Sequence, residues 1–541
     1  MLALLGPAGN RLAQAVGALR RHGPPAAPAP GAVPLTRPHL AQLAQPSAPL
    51  PAFVSACPVA GRYLELLGPL DWAHFPERPT QYPWPGPTPA PRAPYVAAYL
   101  VKLDEGLRSM GHLRRYLCEH PALVWILGFP LTPDPTAPHG FAVAHSLPSR
   151  RQFGRVLREL DNAAAQFLLD GTVHLLRQAL PADVNFGDVI ALDTKHIIAW
   201  VQENNPKAYV SARYDKTQQP KGDPDCKLGC KRRHNQGEGN GGEQSTADSG
   251  TTTPPATAAP PAGPATTPTT NPRPAGQISV GEYYWGYASG GVTTKVPEWG
   301  EIVLAELTQT FDHGDTTYFF PLMAQVERRL GRKPCYGALD KAYDAFYVYQ
   351  YFHEAGGFAA VPLAEKGGYK ERSFSPAGLP LCTAGLAMPL KFTFTDRTTT
   401  SVVHERGKYV CPLRFPAQPA AACPINDARW PKGGCTAMTP ALHQTQCGAS
   451  VPTCAGARLR YQLDRERAEY KAIYKQRTAD EHINSQALAL GIERPHLRRQ
   501  SAIVNQNTLI YVLINLRTLQ RIRVHQEQRA QQSPAPGRAQ P

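Results

Sequence analysis

Apolar and polar positions along the chain change rhythm several times, and each change marks a different kind of element. Tyr95 to Leu103, Met110 to Glu119 and Ala122 to Leu127 carry apolar residues at helical spacing. Pro148 to Leu176 does the same, with Phe153, Val156, Leu157, Leu160, Ala164, Phe167 and Leu168 on one face. At Val189 the helical period stops. Val189 to Val201 reads as a strand whose imperfect alternation is expected of one buried on both faces.

Strand and helix patterns then alternate. Strands are expected from Gly281 through EYYWGYASG, at Glu301 to Thr310, at Tyr336 to Leu339 and at Phe358 to Leu363. Helices are expected at Thr316 to Leu330, with Asp315 as cap, and at Ala345 to Ala355, with Asp344 as cap and Gly356-Gly357 as stop. A long helix is expected over Arg458 to Gly491, and a last apolar helix over Ser501 to Arg523. Such alternation is the signature of an α/β core.

Composition punctuates this pattern. Residues 1–93 are rich in Pro and Ala and read as a largely disordered extension, followed by an all-helical module over 94–182. The α/β unit, 183–523, is interrupted at 216–276 by a Gly-, Pro- and Thr-rich stretch expected to be disordered, and at 364–457 by a Cys-rich irregular insertion. A disordered tail is expected over 524–541. No run of 18 apolar residues is present, so no transmembrane helix is expected. Lys and Arg exceed Asp and Glu by 15, which calls for a polyanionic partner.

Against this background three acids stand out. Asp193 follows Val189–Leu192 inside an apolar run, and Asp340 follows Tyr336–Leu339. A carboxylate in such a place is costly to bury unless it is paired or bound to a metal. Glu481 shares a helical face with Tyr474 and Arg477; Asp480, its neighbour, points about 100° away on an α-helix. Two carboxylates on strands and one on a helix are a donor set for Mg²⁺, a hard ion that prefers oxygen.

These residues carry a resemblance. The chain resembles DDE-type transposases of bacterial insertion sequences, whose pattern is Tyr, two residues, Arg, three residues, Glu, six residues, Lys. Tyr474, Arg477 and Glu481 match it, and Leu488 stands at the Lys position. The resemblance covers roughly Pro94 to Arg523. It implies an RNase H-like core with the first Asp on the opening strand and the second at the end of the fourth. It implies Asp193, Asp340 and Glu481 as catalytic ligands of Mg²⁺ (Mn²⁺ as substitute), with Tyr474 and Arg477 on DNA phosphates. The role of the missing Lys passes to a nearby cation, Arg494. The expected activity is metal-dependent cleavage and strand transfer of double-stranded DNA, with transposon ends and target DNA as partners, by a homodimer in a bacterial cytoplasm. The rival readings are a DNA-binding transposase relic and another RNase H-like nuclease.

The chain has 11 cysteines. Cys226, Cys230 and His234 have near-ligand spacing, and Cys411, Cys423, Cys435 and Cys447 recur every twelve residues. Structural Zn²⁺ is one reading of them and free thiols in irregular loops the other.

Overall fold

The computed structural model describes residues 50–77, 90–230, 283–364, 372–382, 385–398, 402–411 and 448–532. The chain divides into two compact units, Met1–Lys102 with Leu107–Val156, and Leu103–Gly106 with Leu157–Pro541.

The first unit is helical. The extension expected to be irregular contains α1 (Ala52–Ser55) and α2 (Pro58–Leu67), the latter opening on a proline. The reason is visible in the apolar residues it buries: Tyr63, Leu66 and Leu67 sit on one side of α2. Then come α3 (Ala93–Asp104), α4 (Met110–Glu119), α5 (Pro121–Ile126), α6 (Val143–Ser146) and α7 (Arg150–Glu159). Ser109 caps α4 by accepting from the His112 amide at 3.2 Å. Tyr95, Phe129 and Phe153 meet edge-on, with ring centroids 5.4 to 5.8 Å apart. Each such contact adds roughly 1 kcal/mol to the area it buries.

The second unit is mixed α/β. It begins with α8 (Asn162–Ala179), capped by Asp161. Its sheet contains β1 (Val189–Ile198), β2 (Lys227–Cys230), β3 (Tyr283–Val296), β4 (Gly300–Thr310), β5 (Tyr336–Leu339) and β6 (Phe358–Ala360). β3 runs antiparallel to β1 on one side and to β4 on the other, while β1, β5 and β6 are mutually parallel. The short β2 pairs with the start of β3, so the expected disorder at 216–276 does not hold for its first part. Residues 231–276 of that insertion lie outside the described residues. Between the strands lie α9 (Phe319–Leu330), closed by left-handed Gly331, and α10 (Phe346–Glu354). Leu322, Val326, Val348 and Phe352 from these helices join Ile190, Leu192 and Leu339 in one core.

The region 364–457, expected to be irregular, holds a small antiparallel sheet of β7 (Leu390–Asp396), β8 (His404–Val410) and β9 (Gly448–Pro452). KFTFTD alternates and is rich in strand-favouring side chains, a pattern hidden by its Pro- and Gly-rich flanks.

The single helix expected over 458–491 is broken. It becomes α11 (Ala455–Gln462), α12 (Ala468–Tyr474), a 3₁₀ turn over Lys475–Arg477, and α13 (Thr478–Ala489). Tertiary contacts break it. Arg460 grips Asp344 through two hydrogen bonds, at 2.7 and 2.5 Å, and Leu463 turns extended. Arg465 then donates to the Val361 carbonyl at 3.0 Å. Asp344, committed to Arg460 and to the hydroxyl of Tyr349, is therefore not the cap of α10.

The last helix, α14 (Gln500–Gln532), overruns the boundary at 523 because 524–532 are good helix formers with no proline. It packs on α8 and β4. Asn515 both accepts from the Val303 amide and donates to the Val303 carbonyl, at 2.9 Å each, satisfying backbone groups of β4.

Candidate active site

Leu192 of β1 is in register with Leu339 of parallel β5. Asp193 continues β1 and Asp340, the residue after β5, opens a short 3₁₀ turn, so the two carboxylates follow the same register pair of adjacent parallel strands and the charge of Asp340 acts on Asp193. Across the other edge of β1 the partner of Asp193 is Gly291, above which the Tyr511 hydroxyl of α14 would lie 3.9 Å from a Cβ. Helix α13 packs on both β1 and β3.

Asn484 of α13 donates to Asp193 Oδ2 at 3.2 Å. Burial raises the pKa of Asp193, the Thr194 amide and Arg477 work against this, and the charges of Asp340 and Asp315 add to it. Asp340 Oδ1 accepts from the Lys341 amide at 2.6 Å, which fixes the carboxylate at the strand end.

Asp315 is a third acid of this cluster. Expected as a helix cap, it lies inside the 3₁₀ turn Asp315–Tyr318 that precedes α9, and its Oδ1 accepts from the Thr194 hydroxyl at 2.9 Å. Its pKa is raised by burial and by the nearby charge of Asp340. Nothing in the local sequence distinguishes a capping Asp from one recruited by a residue far away in the chain.

Arg477 joins the strands to the helix. Its guanidinium donates to Glu481 Oε1 at 2.5 Å. Burial opposes its charge, but Glu481, Tyr474, Asp193 and Asp340 together outweigh burial and raise its pKa. Tyr474 stacks on Tyr470, with centroids 5.9 Å apart. Burial raises the Tyr474 pKa, with Arg477 opposing and Asp340 adding. Tyr474, Arg477, Asp193 and Asp340 are thus one electrostatic neighbourhood.

The two acids of α13 divide differently from expectation. Glu481 is half-exposed and turned to Arg477, whereas Asp480 is 2 % exposed. Asp480 has a strongly raised pKa because it is buried and faces the charge of Asp193, and its Oδ2 has no hydrogen-bond partner. Tyr343, also buried, holds a second hydroxyl without a partner near Asp315 and Asp193.

The donor set is all oxygen, which suits a hard divalent cation. Two carboxylates in register and an unpartnered carboxylate oxygen behind them fit such an ion. Among the described residues no group of three His, Cys, Asp or Glu side chains is gathered as ligands, and Glu481 is bonded to Arg477.

Leu488 is 48 % exposed, on the surface of α13. Arg494 lies elsewhere, beside Trp200 at the far end of β1. Cys226 is buried and its thiol donates to the Asp223 carbonyl at 3.1 Å; burial pushes its pKa up, away from the thiolate that zinc requires. Cys411 is buried, and His234, Cys423, Cys435 and Cys447 lie outside the described residues.

No family model, curated protein or solved structure matches the chain. The site therefore stands on its own geometry. No helix among the described residues is long and apolar enough to cross a membrane.

Proposed function

We propose that the protein is a DDE-type transposase that cleaves and joins double-stranded DNA at the ends of its own element. The observation that carries this reading is that Asp193 and Asp340 directly follow the last register pair of adjacent parallel strands, Leu192 with Leu339, and that the charges of both act on Arg477. The strand order supports it. With the short β2 set aside, the sheet runs β4-β3-β1-β5-β6, three antiparallel strands followed by two parallel ones, which is the arrangement expected of an RNase H-like core.

Asp193, Asp340 and Glu481 would hold the divalent ion, with the Arg477–Glu481 pair given up in exchange. A divalent ion there supplies activation of the attacking oxygen and neutralises charge on the leaving one. The chain's own residues do the rest. Asn484 orients the Asp193 carboxylate, and Thr194 orients Asp315. Arg477 would take a phosphate by a bidentate contact, and the Tyr474 hydroxyl would donate to a neighbouring phosphate oxygen.

Purified protein is incubated with Mg²⁺ and a duplex bearing the inverted repeats that flank its gene. The wild type nicks the duplex at the repeat end, while Asp193→Asn and Asp340→Asn bind it without cleaving. Cleavage that persists in either variant, or no cleavage by the wild type, overturns the reading.

A further inference from the structure

Trp200 follows β1 and keeps 51 % of its surface exposed, an unusual placement for the largest apolar side chain. It lines an open pocket of about 450 Å³ together with Lys207, Arg494, His496 and Arg498. No Asp or Glu is among the described residues lining it. The Arg498 guanidinium lies 5.0 Å from the indole centroid, and the His496 ring is 5.3 Å away, inclined by 31°. Lys207, Arg494 and Arg498 form no ion pair among the described residues.

The platform is held firmly from below. The Ile198 amide donates to the Glu493 carbonyl at 2.8 Å, and Lys195 pairs with the Glu493 carboxylate at 3.0 Å, tying the Arg494 loop to β1. Asn204 donates to the carbonyls of Ala199 and Trp285 and accepts from the Trp285 amide, which fixes the chain on the other side of Trp200. The indole is half-exposed on a braced backbone, with Arg498 over one face and further cations beside it that form no ion pair, which matches what a single-stranded nucleic acid needs: aromatic surface for the base and positive charge for its phosphates.

We propose that Trp200, with Lys207, Arg494, His496 and Arg498, forms a base-stacking subsite that holds an unpaired nucleobase of the bound DNA. This rests on the reading of the protein as a DNA enzyme, but not on its carboxylates being catalytic. Trp200 lies in a turn just beyond the end of β1, and the strand from Asp193 to Ile198 alone spans roughly 17 Å. That is the length of roughly 5 nucleotides of a duplex strand. The subsite therefore engages DNA at a distance from the phosphate being cut, where it secures a strand that has come unpaired.

Binding of fluorescein-labelled dT12, and of a blunt duplex of equal length, is titrated with the full chain in EDTA across a range of salt. The wild type binds dT12. Trp200→Ala weakens dT12 binding by about 5- to 150-fold, the range for losing one stacked base. Trp200→Phe restores most of it, and Arg498→Gln lowers the salt slope by about 0.7, one phosphate on a single strand. Unchanged dT12 binding in Trp200→Ala overturns the proposal. So does a Phe variant no better than Ala, or an equal loss on the blunt duplex. Should Trp200→Ala not fold, 5-iodouracil crosslinking to the wild type decides: an adduct on Trp200 supports the subsite, and adducts only elsewhere overturn it. Binding is read in EDTA, so Trp200-dependent binding without Mg²⁺-dependent cleavage would leave the subsite standing and remove the catalytic reading alone.

Discussion

The guanidinium of Arg477 donates to the carboxylate of Glu481 at 2.5 Å while its charge also acts on Asp193 and Asp340. One cation thus stands where the third metal ligand and a DNA phosphate would both be needed. An ion that takes Glu481 and a phosphate that takes Arg477 would each break this pair, so the two binding events are expected to favour one another.

Arg477→Ala should leave the fold nearly intact. Its pair with Glu481 is partly exposed, and such pairs are worth less than about 1 kcal/mol. Binding to the repeat ends should weaken and the salt slope should fall by about 0.9, one duplex phosphate. Salt-titrated binding beside a melting curve checks this; an unchanged slope places Arg477 outside the DNA interface.

The neighbours Glu481 and Asp480 should separate by readout. Glu481 is half-exposed, so Glu481→Gln should keep its melting temperature within about 2 °C and lose cleavage. Asp480 is buried with one oxygen unpartnered, so Asp480→Asn should move the melting temperature more than the cleavage rate. If Asp480→Asn abolishes cleavage while Glu481→Gln does not, the inner acid is the ligand.

Glu306 provides a pH dependence of stability two strands from Asp193, since both residues pair with Gly291 of β3. It is fully buried among Thr308, Thr508 and Gln166, with Arg329 nearby, and burial raises its pKa to about 7. The folded state therefore holds a proton that the unfolded state has lost above its own pKa of 4.5. The associated stability is fully present below pH 4.5 and is lost as pH rises through about 7, roughly 3 kcal/mol in all. Glu306→Gln should remove this term. Relative to wild type, the variant should gain stability between pH 5 and pH 8; a constant difference across that range would show that Glu306 does not titrate there.

Cys230 and Tyr283 are in register on β2 and β3, so the chain leaves and re-enters the sheet at neighbouring points. Replacing residues 233–280 with a short Gly-Ser turn should keep the protein folded. A roughly tenfold shorter loop lowers closure entropy by about 2 kcal/mol. Loss of soluble protein would show that the removed segment is needed for folding.

Leu488→Lys should be tolerated, because the side chain is on the surface of α13. A fall in melting temperature of more than about 5 °C would contradict that placement.

What the chain alone determined is what local pattern can carry. The apolar runs before Asp193 and Asp340 predict β1 and β5, and the alternation predicts a mixed α/β unit, because strand and helix periods are properties of short segments. Tertiary structure decided everything that depends on register or on distant partners. Asp193 and Asp340 become neighbours only through the pairing of β1 with β5. Asp315 joins them through Thr194, and Asn484 reaches Asp193 from a helix 291 residues away. The helix expected over 458–491 breaks because Arg460 finds Asp344, which outweighs the helix propensity of the intervening residues. That break, with the 3₁₀ turn at Lys475–Arg477, sets which acid of α13 faces inward. Helical phase is legible only while the helix is continuous, and here continuity is a tertiary property.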